Sequence, residues 1–187
     1  MPSPRGVAVA LAGAVGSGKS TLGRMLAERM NGEVASFGDF VRHIATQRGI
    51  THDRHSLQAL GQSRIDENPA AFVAEFLVWA APKPGKLLVI DGVRHAAVDD
   101  ILREWSREVG RSYYLILIDA SLAERAKRRH SGNEVEARRV DEHRVERETV
   151  CTLPSVADLV VDGDGEPENV LKRILAEAPA VIVGRIR

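Results

Sequence analysis

Apolar residues recur along the chain in two alternating rhythms. Short dense runs, VAVALA at 7–12, EVAS at 33–36, KLLVID at 86–91, YYLILID at 113–119 and a run near 157–161, predict five strands. KLLVID is the kind of continuous apolar run expected of a strand buried on both faces. Between the strands, apolar residues fall three and four apart. In TLGRMLAERM, Leu22, Met25, Leu26 and Met30 share one face of a helix over 19–30. Further helices are predicted over 39–48, 54–66, 70–81 and 96–109, from 121 into an Arg-rich stretch, and over 166–177. The turn Pro82-Lys83-Pro84-Gly85 closes the long helical block between the second and third strands, and the tail APAVIVGRIR is expected to add an edge strand. Strand and helix alternate, which points to a parallel sheet covered on both faces, with the helical block as an insertion.

The first strand runs directly into GAVGSGKST, residues 13–21. Gly13, Gly18, Lys19 and Ser20 meet the pattern G-x-x-x-x-G-K-[ST], and a helix follows at once, the context that a phosphate-binding loop requires. Its glycines let successive backbone N–H groups turn toward phosphate oxygens, and the helix start adds its positive dipole end. Gly13, Ala14, Val15, Gly16, Ser17, Gly18, Lys19, Ser20 and Thr21 are therefore expected to hold a nucleoside triphosphate. Lys19 would reach the β- and γ-phosphates, and the Ser20 hydroxyl would ligate Mg²⁺.

A carboxylate closes the strand at 86–91. In VIDGVR, Asp91 sits where a parallel sheet presents its carboxyl edge to ligands, so it is expected to share the Mg²⁺ with Ser20. Arg94 lies just beyond, toward the same edge.

Composition narrows the class. The chain has 187 residues, enough for one full core, and a formal net charge of zero, which argues against a nucleic-acid or membrane surface. One cysteine, Cys151, excludes an internal disulfide or thiolate metal cluster. His52 and His55 are spaced i, i+3 in a polar stretch and read as surface residues. The apolar segment at 7–15 is too short and glycine-rich for a signal core, and no other run is long enough to span a bilayer, so a cytoplasmic protein is expected.

Several segments in order resemble the P-loop nucleoside monophosphate kinases, the adenylate kinase-like family. SFGDFVR at 36–42 resembles its S-x-G-D-x-[LIV]-R, IDGVR at 90–94 its D-G-F-P-R without the proline, and ERAKRRHSG at 124–132 the start of its lid. VVDGDGEPENVLKRIL at 160–175 is similar to its closing strand, turn and helix. The resemblance implies an α/β, three-layer P-loop NTPase fold with a five-stranded parallel sheet, a helical acceptor-binding insertion and a short lid. It divides the single domain 1–187 into a core (1–35, 86–124 and 150–187), an insertion at 36–85 and a lid region at 125–149. It implies Mg-ATP as donor, Asp39, Arg42 and Arg94 at the acceptor, Arg125 near the donor base, and Arg129 and Arg139 on phosphates. Read on their own, Asp39 is explained as the N-cap of the helix it opens, Arg42 as a solvated helix arginine, and the lid arginines as surface charge. Arg42 and Arg94 suit a bidentate clamp on an acceptor phosphate.

Three readings follow. The leading one is an ATP-dependent phosphotransferase acting on a small phosphorylated acceptor, a nucleoside or deoxynucleoside monophosphate. The second is a small-metabolite kinase of the dephospho-coenzyme A type, which the overall layout allows; VIDGVRH also resembles the corresponding strand of phage-type deoxynucleotide kinases, and no glutamine after it stands ready to read an adenine edge. The third is a P-loop switch or nucleic-acid-processing module, for which no water-positioning residue can be identified.

Overall fold

The computed structural model describes residues 6–128 and 151–178. Five parallel strands, β1 (Val7–Ala12), β2 (Glu33–Ser36), β3 (Leu87–Asp91), β4 (Ser112–Asp119) and β5 (Leu159–Asp162), form one sheet in the order β2-β3-β1-β4-β5. Helices α1 (Lys19–Arg29), α2 (Phe37–Arg48), α3 (Arg54–Glu67), α4 (Pro69–Ala80), α5 (Ala96–Glu108), α6 (Leu122–Arg128), α7 (Leu153–Val156) and α8 (Pro167–Glu177) connect them. Every predicted strand and helix over described residues is present within a few residues. The single turn α7 was not foreseen, because four residues carry no period. The tail strand and the lid past residue 128 lie outside the described residues.

The alternation in VAVALA divides the core. Val7, Val9 and Leu11 face α1 and α8, packing with Leu22, Leu26, Leu171 and Ile174. Ala8, Ala10 and Ala12 face the other layer, where their small side chains leave room for larger ones from the helices. All four phenylalanines of the chain lie in that layer: Phe37 and Phe40 from α2, Phe72 and Phe76 from α4. Phe37 stacks on Phe76 with ring centroids 3.9 Å apart, and Phe40 reaches Trp79 at 5.5 Å. The helical block is thus fastened to the sheet by aromatic packing.

One helix starts earlier than its apolar period suggests. α2 begins at Phe37, and its N-cap is Ser36, whose hydroxyl accepts from the Asp39 N–H at 3.3 Å. The N-cap role expected of Asp39 is therefore filled by Ser36. The spacing S-x-x-D puts Asp39 at the third helical position, where its charge favours the dipole.

A polar network, buried at Asp99 and more open at Arg103 and Asp158, ties α5 to β4 and to the residue before β5. Asp99, 1% exposed, accepts from Tyr113 Oη at 2.6 Å and from Arg103 Nε at 2.7 Å. Arg103 continues to Asp158, which also accepts from the Leu115 N–H at 2.7 Å.

Candidate active site

Because all strands are parallel, their carboxyl ends meet at one edge, and the strand order changes direction beside β1. That is where open α/β sheets bind ligands. Ala12 opens there into the glycine loop, Ser36 into α2, and Asp91 into Gly92-Val93-Arg94-His95. The Gly92 and Val93 N–H groups both donate to the Leu11 carbonyl at 3.2 Å, which fixes this turn beside the loop.

The loop needs its glycines for space as well as for turning. Gly13 has φ 145°, and a Cβ there would stand 2.5 Å from the Ile118 carbonyl oxygen. Gly18, in the left-handed region at φ 94°, caps α1. Lys19 folds back on the loop, its Nζ donating to the carbonyls of Gly13 at 2.6 Å and Ala14 at 3.0 Å.

Two residues 71 positions apart meet beside it: Ser20 Oγ donates to Asp91 Oδ2 at 2.6 Å. Asp91 is 6% exposed, and its second oxygen, Oδ1, is buried without a hydrogen-bond partner among the described residues. A buried carboxylate oxygen left unpaired costs about 1–3 kcal/mol or more, so the site is short of a positive partner. Hard oxygen donors of this kind suit Mg²⁺.

A cleft of about 570 Å³ runs from Lys19, Ser20 and Asp91 to the helical block, with Arg42 and Arg94 both in its wall. With Val15 and Gly16, which also line it, seven residues expected at phosphate, metal or acceptor are thereby brought to one space. Arg42 also donates to Asp39 Oδ1 at 2.9 Å, and both side chains are about half exposed. Asp39 thus reaches the cleft through Arg42. Arg125 lies behind the phosphate loop: it is 5% exposed, its Nε donates to the Ala120 carbonyl at 3.2 Å, and its backbone packs against Gly16. Arg129 and Arg139 lie outside the described residues.

The cleft also takes in His52, read from the sequence as a surface residue, and residues the sequence did not single out, among them Arg54, Gln58, Gln62 and His95. His95 follows Arg94 directly and is 6% exposed. The three from α3 had no signal beyond a polar helix, and only the fold of α3 over the cleft gives them a place there.

Sheet order, glycine loop and strand-end carboxylate define the P-loop kinase fold. It is matched by the APS kinase CysC of Mycobacterium tuberculosis, solved with AMPPNP and APS. The TM-score is 0.59 and the identity 18%, over 92% of this chain and 97% of that one. A shikimate kinase from Acinetobacter baumannii, solved with shikimate, gives a TM-score of 0.58 at 16% identity, over 93% of this chain and 92% of that one. At such identities the likeness is one of fold. In sequence, the AAA domain family matches residues 12–147, and the chain belongs to that family. A UPF0200 protein of Aeropyrum pernix is 33% identical over 102 residues, 54% of each chain, so the chain spans about half the length of that curated relative. Among the described residues, no helix is long and apolar enough to cross a membrane.

Proposed function

We propose that the protein is an ATP-dependent phosphotransferase that moves the γ-phosphoryl group of ATP onto a small phosphorylated acceptor, a nucleoside or deoxynucleoside monophosphate. The observation that carries this reading is the single cleft joining the phosphate loop and the Ser20–Asp91 pair to the guanidinium groups of Arg42 and Arg94. Two guanidinium groups lining the same cleft as the phosphate loop suit a second phosphate, which the acceptor of a kinase supplies.

In this reading the N–H groups of residues 13–18 cradle the ATP phosphates, and Lys19 leaves its loop carbonyls for phosphate oxygens. Ser20 and Asp91 would hold Mg²⁺, which supplies neutralising charge when bound. Arg42 must exchange Asp39 for the acceptor. An exposed ion pair contributes only about 0.2–1 kcal/mol, so the exchange costs little against bidentate bonds to phosphate. The attacking oxygen of an acceptor phosphate is already ionised near neutral pH, so attack needs positioning and charge neutralisation but no base. Residues 36–85 would carry the acceptor site and 125–149 the lid, with Arg129 and Arg139 on the phosphates and the protein working in the cytoplasm.

A second reading, a kinase of a hydroxyl-bearing metabolite, would use the carboxylate of Asp39, which is held on Arg42 in the cleft wall, as the general base. The solved neighbours that are kinases of APS and of shikimate fit this reading as well. ADP release measured across nucleoside monophosphates, deoxynucleoside monophosphates and dephospho-coenzyme A decides between them. Acceleration by a monophosphate is expected. Turnover unchanged by every acceptor would overturn both kinase readings.

A further inference from the structure

Arg128, the last residue of α6, lies within the segment ERAKRRHSG without a role assigned to it there, yet its side chain joins two separate loops at the sheet edge. Its Nη1 donates to the Ser17 carbonyl of the phosphate loop at 2.8 Å. Its Nη2 donates to the carbonyls of Gly163 at 2.8 Å and Gly165 at 2.7 Å, in the turn between β5 and α8. Glu124 Oε1 lies 3.1 Å from Nε and holds the guanidinium in plane. A rigid planar fork suits this three-carbonyl bridge, and a point charge such as ammonium does not.

The bond to Ser17 has a consequence for the loop. A trans peptide is planar, with its C=O and N–H directed to opposite sides. Holding the Ser17 carbonyl on Arg128 therefore fixes the direction of the Gly18 N–H, one of the loop's phosphate donors. Gly18 is itself packed on the guanidinium: a Cβ there would stand 3.2 Å from Nη1. The other end of the bridge is also anchored, since Arg173 donates to the carbonyls of Asp162 and Asp164 at 2.8 and 2.9 Å.

We infer that Arg128 is a positioning residue for the nucleotide, setting the shape of the phosphate loop by tying Ser17 to the turn at 163–165. The inference rests on the ATP-binding reading above. It makes ATP affinity depend on a residue that the nucleotide need not touch.

The test is calorimetric titration of the purified full chain with AMPPNP and Mg²⁺, without acceptor. Arg128→Ala is expected to weaken binding at least tenfold, and millimolar methylguanidinium to restore part of the loss. Arg128→Lys is expected to fold and to bind at least threefold more weakly than the parent, and it carries the test should Arg128→Ala fail to fold. Arg173→Ala, which disturbs the same turn without touching the loop, is expected to change binding less than twofold. If the parent binds and Arg128→Lys binds equally well, the inference is overturned alone. Equal losses in the Arg128 and Arg173 variants also overturn it, because the effect then lies in the turn. A folded parent that does not bind AMPPNP overturns the nucleotide reading and this inference together.

Discussion

In the proposed reaction Lys19 and Asp91 carry their roles as single side chains placed by neighbouring backbone. Lys19 is 8% exposed and satisfied by two loop carbonyls, so its charge is stored at the loop with little reorganisation needed to meet phosphate. Lys19→Ala is expected to reduce ADP release below detection while the circular dichroism spectrum stays that of the parent. Undiminished turnover in the folded variant would remove the central claim. Asp91→Asn keeps an oxygen for the Ser20 hydroxyl but loses the negative charge. Its activity should fall at least about tenfold and need more Mg²⁺, since each charge-assisted contact is worth about 1.5–3 kcal/mol. Superimposed Mg²⁺ titrations of variant and parent would make Asp91 a turn residue only. These residues were legible because each sits at a fixed offset from a strand end, and a strand end is readable from an apolar run. Arg128 was not legible. Its partners are the carbonyls of Ser17, Gly163 and Gly165, and backbone oxygens leave no mark in a sequence.

At the scale of elements, the helical block depends on its aromatic seam. Phe76 is fully buried between Phe37 and Trp79, and its truncation to Ala should cost about 3–5 kcal/mol, measured by urea unfolding. A cost under 1 kcal/mol would mean that α4 is not held by this contact. The Asp99 network makes a different demand. Burial and the Asp99 charge push the Tyr113 hydroxyl well above its ordinary value near 10. Above that value the unfolded chain sheds this proton while the folded chain keeps it, so the stability Tyr113 contributes is complete below about pH 10 and is lost as pH rises further. Tyr113→Phe should melt lower than the parent at pH 8, because Asp99 loses a donor. The gap should narrow as pH climbs from about 9 to about 11. A gap constant across that range would show that Tyr113 does not titrate differently on folding. The helix and strand pattern was readable because burial on one face imposes a period. This network was not, since Asp99, Arg103, Tyr113 and Asp158 are joined across α5, β4 and the residue before β5, and only the fold brings them together.

For the molecule as a whole, the proposed reaction requires the cleft to keep donor and acceptor apart. The phosphate loop and the helical block are held by different packing, α1 on one face of the sheet and the aromatic seam on the other. In the proposed reading Arg42, carried by the helical block, should therefore act on the acceptor alone, and Arg94, on the turn after β3, is assigned to the same acceptor. Arg42→Ala and Arg94→Ala are expected to raise the acceptor's KM about tenfold or more, or to lower kcat, while AMPPNP affinity without acceptor moves less than about twofold. Collapse of AMPPNP affinity in both variants would reverse the assignment of the two ends. Asp39 then separates phosphate from hydroxyl acceptors. Its helix is capped by Ser36, so Asp39→Asn leaves the cap in place and removes only the charge beside Arg42. A phosphate acceptor needs no proton acceptor, and the variant should keep most of its activity with a pH–rate profile of unchanged shape. A hydroxyl acceptor must lose its proton as it attacks, and a positioned carboxylate accelerates that step about a hundredfold or more. A loss of that size in Asp39→Asn, with the acidic limb of the profile gone, would sink the monophosphate reading and leave a hydroxyl kinase in its place.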